Sequence, residues 1–207
     1  MLEEPTYFDD YRLKLGENTR AETAWQTFFE TNTWIFGYGL QLVSCESLDH
    51  HKLETIVIGN DLFDGAGKRT DALLKTRGLI SKTIFGEIKI HTTRLLQNYD
   101  RPGVYIPSKD LMGAIGQLHK AIHKVALKLG ENSKRIADKE GNPTGEELYF
   151  IRPRAIAIVG RLSEFETGGG LNEEMLSSFE LFRQQLVGVE VLTFDELYER
   201  TRFIVED

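Results

Sequence analysis

Asp71, Glu87 and Lys89 are the residues whose types and spacing bear most directly on chemistry. Glu87 and Lys89 are two apart in a run, Ser81 to Ile90, that reads as a strand, so their side chains project from one face. Asp71 stands near the start of the preceding strand-like run, Arg69 to Lys75, and a tight turn at Thr76-Arg77-Gly78 returns the chain antiparallel. Two carboxylates and an ammonium then converge on one sheet edge. Carboxylate oxygens suit Mg²⁺, a hard cation that keeps several of its waters. Such an ion polarises a phosphate and lowers the pKa of a bound water, and a neighbouring lysine can orient that water or offset phosphate charge. The pattern is common in strands, and the plain alternative is an ion pair on one sheet face.

The elements around these residues follow from period and turn chemistry. Residues 1–19 read as an irregular arm and 20–207 as one domain. Residues 20–32 read as a helix, with Trp25, Phe28 and Phe29 at helical spacing. Leu53 to Ile58 is β-branched and reads as the first strand of an antiparallel meander, followed by a loop over 61–67. Ser108 is placed to cap a long helix whose apolar stripe is Leu111, Met112, Ile115, Leu118, Ile122, Val125 and Leu129. Glu131 to Glu147 is polar, with two glycines and a proline, and reads as a mobile loop. Arg154 to Val159 reads as a buried strand, Glu173 to Leu186 as an amphipathic helix and Val189 to Phe194 as a last strand, with Asp195 capping a last helix. The expected fold class is α/β, a mixed sheet flanked by helices.

Composition restricts the function classes. With 41% apolar and 28% charged residues the chain can bury a core without staples. A lone cysteine, Cys45, excludes an intrachain disulfide, and no apolar leader or membrane-spanning run is present, so a cytoplasmic location without membrane attachment is expected. The net charge of −7 conceals an asymmetry: residues 61–161 carry 18 of the 25 Lys and Arg but only 11 of the 32 Asp and Glu. A basic middle between acidic flanks suits a phosphate-binding face; the plain alternative is solvated charge. Lys68 and Arg69, beside Asp71, and Lys120 and Lys124 on the long helix are the candidates for nucleic-acid contact.

Other constellations fail on their own chemistry. His119 and His123 have metal-ligand spacing, but the residues between them supply no metalloprotease glutamate. Gly65-Ala66-Gly67-Lys68 lacks the first glycine of a phosphate loop, and Arg69 stands where Ser or Thr would bind Mg²⁺. Cys45 has no histidine near it in sequence, and Gly168-Gly169-Gly170 reads as a flexible turn.

Several co-linear segments together resemble the Shedu anti-phage defence family. They are Glu22 to Gly37, Arg69 to Leu74, Gly86-Glu87-Ile88-Lys89, Ala114 to Leu118 and Ile156 to Arg161. The resemblance spans roughly Glu22 to Leu197 and implies a PD-(D/E)xK (restriction-endonuclease-like) nuclease domain. It implies that Asp71 and Glu87 ligate Mg²⁺, with Mn²⁺ able to substitute, that Lys89 is the catalytic lysine and that Gln117 assists. By the same resemblance a first-helix glutamate, Glu22, reaches the metal; a helix-start carboxylate is its simpler account. DNA is the implied substrate, and a homo-oligomer, dimer or tetramer, the implied assembly, to which Phe203-Ile204-Val205 is a candidate interface. The sequence departs from the pattern at Thr70, where a proline often precedes the aspartate. About 20 residues precede the first helix, so no separate sensor domain is expected. A catalytically silent nucleic-acid-binding or scaffold module of the same fold, or a repair or recombination nuclease, are the competing readings.

Overall fold

A computed structural model describes residues 1–36, 45–47, 72–76, 82–129, 133–137 and 142–206. In chain order the elements are α1 (Pro5–Leu15), α2 (Ala21–Thr31), β1 (Cys45–Ser47), β2 (Ala72–Thr76), β3 (Lys82–Ile88), β4 (Leu96–Asn98), β5 (Tyr105–Pro107), α3 (Lys109–Leu129), β6 (Ser133–Ala137), β7 (Pro143–Ile158), β8 (Glu166–Thr167), β9 (Gly170–Leu171), α4 (Glu173–Gln184), β10 (Val189–Leu192) and α5 (Phe194–Glu206). The class is mixed α/β, as expected. The chain divides into two compact units: Met1–Trp25, Ile88–Ile115 and Ala157–Asp207 form one, Gln26–Glu87 and Gly116–Ile156 the other.

In the second unit β1 runs antiparallel to β2, and β2 antiparallel to β3. Ala72 pairs with Gly86, Leu73 with Phe85 and Leu74 with Ile84. Ile84 and Phe85 are fully buried, and Phe85 meets Phe150 of β7 edge-on with ring centroids 5.9 Å apart. β6 and β7 form a further antiparallel pair, Ser133 opposite Tyr149, with a register irregularity between Arg135 and Ala137. The loop expected over Glu131 to Glu147 is therefore corrected. The strand β7 begins at Pro143, a position where a missing N–H costs no ladder bond. The strand expected at Leu53 to Ile58, the loop at 61–67 and the turn at Thr76 to Gly78 fall wholly or largely outside the described residues.

In the first unit the ends of β3 and β7 and the strand β10 run parallel. Lys89 N–H donates to the Ile158 carbonyl (2.8 Å) and Gly160 N–H to that of Ile90 (3.3 Å). Val159 N–H donates to Leu192 O (3.0 Å) and Phe194 N–H to Gly160 O (2.9 Å). Partners advance in the same sense along both segments, the mark of parallel pairing. Gly160 takes φ +56°, and a Cβ there would collide with the Thr93 carbonyl oxygen. Only glycine admits that approach without strain.

Residues 1–19 are not an irregular arm. The helix α1 starts with Pro5 at a position that needs no N–H, and Phe8 is its buried anchor, stacked on Trp25 at 5.0 Å. The long helix α3 is as expected, with Ser108 Oγ accepting the Leu111 N–H (3.0 Å). Leu111, Ile115, Leu118 and Val125 are buried, but Met112 is half exposed and lies off the stripe. The cap of α5 is Thr193, not Asp195. Thr193 Oγ1 accepts the Glu196 N–H (3.4 Å) while Glu196 returns a carboxylate oxygen to the Thr193 N–H (2.9 Å), a reciprocal capping box. Short β4 and β5, paired Leu96 to Pro107, were not expected from sequence.

Candidate functional site

Glu87 sits one residue from the end of β3 and is 2% exposed. A carboxylate so deeply buried is costly unless it is held by partners, and Glu87 has them. Lys89 follows the end of β3, its backbone fixed by the bond to Ile158.

Lys89 Nζ lies 3.4 Å from Glu22 Oε1, with the two side chains 14% and 40% exposed. Glu22 occupies the first turn of α2, where a carboxylate meets the positive end of the helix dipole. One turn on, Trp25 Nε1–H donates to His91 Nδ1 (3.0 Å). His91 packs edge-on against Phe8 at 5.0 Å and Phe194 at 6.1 Å. Burial, then the positive charge of Arg161, hold the His91 imidazole below its usual pKa despite the opposing pull of Asp9. No local pattern announces the Trp25–His91 pair, whose members are 66 residues apart.

Gln117, on α3, carries its side-chain oxygen in a buried position with no hydrogen-bond partner among the described residues. Lys120 and His119 beside it are exposed, as is His123, and Lys124 is half-buried. Among the described residues no group of three or more His, Cys, Asp or Glu is placed to hold a metal ion. Asp71, Lys68 and Arg69 lie outside the described residues. The residue that follows Asp71 in sequence, Ala72, pairs with Gly86, the residue that precedes Glu87.

Residues 19–198 match the family model described as Shedu protein SduA, C-terminal. The chain belongs to the Shedu family. Shedu protein SduA of Bacillus cereus (strain B4264) is 29% identical over 188 residues, which cover 90% of this chain and 46% of that relative. The chain thus spans under half the length of the curated Shedu relative it matches. The Shedu match contains Glu22, Glu87, Lys89 and Gln117 along with Asp71. Among the described residues no helix is long and apolar enough to cross a membrane.

Proposed function

We propose that this Shedu-family chain is a metal-dependent DNA endonuclease of the PD-(D/E)xK type, acting in anti-phage defence. The observation that carries the reading is the register of β2 on β3, Ala72 opposite Gly86. Asp71 adjoins Ala72 in sequence as Glu87 adjoins Gly86, and the proposal takes these two carboxylates as partners across the strands. Directly opposed residues have Cα atoms about 4.5–5.5 Å apart and side chains on one face. Lys89 shares the Glu87 face by the two-residue period of an extended chain.

Asp71 and Glu87 are the residues that would hold Mg²⁺ or Mn²⁺. The donor chemistry fits such an ion, since both are carboxylates, and Gln117 carries a buried amide oxygen, again a hard donor, with no partner among the described residues. A bound ion supplies charge for the phosphoryl oxygen and acidifies the attacking water. Lys89 brings an ammonium to that water and to the developing negative charge, and Glu22 aims it. Gln117 accepts a hydrogen bond from a water in the site, which accounts for a buried acceptor left without a protein donor among the described residues. Lys68, Arg69, Lys120 and Lys124 hold the DNA backbone. A homo-oligomer is part of the proposal, since Phe203 and Val205 on α5 are each 71% exposed and apolar.

The test is hydrolysis of linear and supercoiled DNA by wild type and by Glu87→Gln, with Mg²⁺, with Mn²⁺ and with chelator. Cleavage that needs metal and is lost in Glu87→Gln supports the reading. Cleavage in chelator at the wild-type rate contradicts it, and so does DNA binding with no cleavage under any metal.

A further inference from the structure

A cavity of about 270 Å³ in the first unit is lined by His91, Thr92, Thr93, Arg94, Arg161, Ser163 and Glu164. At about 30 Å³ per water it has the room of roughly nine waters, enough for a phosphate with an adjoining sugar. Its side chains are donors almost throughout. Arg94 and Arg161 bring two guanidinium groups, and among the described residues neither is paired with a carboxylate. Among the described residues the Arg161 side chain donates one hydrogen bond, a long one of 3.4 Å to the Leu2 carbonyl. Thr92, Thr93 and Ser163 add three hydroxyls.

The one carboxylate in the lining is already committed. Glu164 accepts the N–H groups of Leu95 (2.6 Å) and Leu96 (3.4 Å). His91 is committed in the complementary way. Its Nδ1 accepts from Trp25, which leaves the ring proton on Nε2 as a donor.

The walls are fixed from behind. The Arg94 carbonyl accepts from Ser108 Oγ (2.6 Å), and the Ser163 N–H donates to Asp195 (3.3 Å). Thr93 N–H and Gly160 N–H both reach the Ile90 carbonyl, at 3.0 and 3.3 Å. The close approach of Gly160 to the Thr93 carbonyl locks the 90–93 turn against the start of the Arg161 segment. A lining with two guanidinium groups carried on this fixed backbone selects an anion with several oxygens, and phosphate above all.

The 90–93 turn begins one residue after Lys89. Three residues of chain span at most about 11 Å, so Thr92 lies within about three nucleotide steps of Lys89 at 3.4 Å rise per nucleotide. We infer that the Arg94–Arg161 cavity holds a second, non-reacting phosphodiester of the nucleic-acid strand whose scissile phosphate meets Lys89. This rests on the nucleic-acid substrate of the proposed function and sets the register in which the strand lies.

Short duplex DNA is titrated in chelator against the full chain, as wild type, Arg161→Gln and Arg94→Gln, over a series of salt concentrations. Each variant is expected to bind about tenfold more weakly, as for loss of a charge-assisted hydrogen bond, and to lower the salt slope by about 0.9. Arg94 is exposed, so Arg94→Gln carries the test if Arg161→Gln unfolds. Wild-type affinity and slope in a folded variant overturn the inference, as does wild type that binds no duplex. Inorganic phosphate that binds through Arg161 while duplex binding ignores Arg161 also overturns it, since the cavity then serves a free anion. Cleavage in Mg²⁺ is scored separately. Lost cleavage in Lys89→Ala with unchanged slopes in the arginine variants sinks the cavity and keeps the nuclease. Reduced slopes with no cleavage by wild type do the reverse.

Discussion

Lys89 Nζ and Glu22 Oε1 lie 3.4 Å apart, joining the residue after β3 to the first turn of α2 across 67 positions of sequence. Glu22 is 40% exposed, so the pair is worth little to stability, under about 1 kcal/mol. Its effect on the direction of the ammonium is the larger one. Glu22→Gln is expected to leave the melting temperature nearly unchanged and to slow DNA cleavage about tenfold or more. A rate that stays at the wild-type value, measured beside the melt, removes Glu22 from the account.

Gln117 gives a prediction in which stability and activity move in opposite directions. Its buried oxygen has no partner among the described residues, and holding a water there costs up to about 2 kcal/mol in lost water freedom. Gln117→Met fills the same space without that acceptor. Denaturant unfolding is expected to show a gain of up to about 1 kcal/mol, with cleavage reduced about tenfold or more. A destabilised variant of full activity shows that the amide serves packing alone.

How far the chain could be read from sequence follows from the same contacts. The helices α2, α3 and α4 and the strands β3 and β10 carry their own period, and each was legible. The helix α1 was not, because its apolar residues do not form one stripe: Tyr7, Leu13 and Leu15 are exposed, and among its described side chains only Phe8 is buried. The β6–β7 pair was hidden by Pro143, Gly145 and adjacent glutamates, whose local chemistry favours turns, while Phe150 further along secures the strand in the core. Of the site, the Glu87–Lys89 spacing was legible because it is local. The pairings of Glu22 with Lys89 and of Trp25 with His91 were not, since only tertiary structure brings residues 66 or 67 apart into contact.

His91 predicts a pH dependence of stability. Its folded pKa is lowered from 6.5, chiefly by burial. The unfolded chain therefore takes up a proton at a pH where the folded protein does not. Above pH 6.5 neither state is protonated and the stability is fully present; as pH falls below 6.5 toward the folded pKa, stability is lost. Melting temperatures between pH 7.5 and 5 are expected to fall in wild type and to fall less steeply in His91→Gln. Identical slopes assign the acid sensitivity to other groups.

Gly160 holds a left-handed conformation against the Thr93 carbonyl, so Gly160→Ala meets both backbone strain and a collision. The expected cost in thermal or chemical unfolding is at least about 1–3 kcal/mol. A variant as stable as wild type contradicts the close packing of the 90–93 turn on the strand that leads into Arg161.

The most direct measurement is the rate of DNA cleavage in Mg²⁺ by wild type and by Lys89→Ala, with folding of both verified by circular dichroism and by duplex binding in chelator. The account predicts cleavage by wild type, a loss of at least about 10²-fold in Lys89→Ala and retained folding. Equal cleavage by the two proteins, or none by folded wild type that binds DNA, contradicts it.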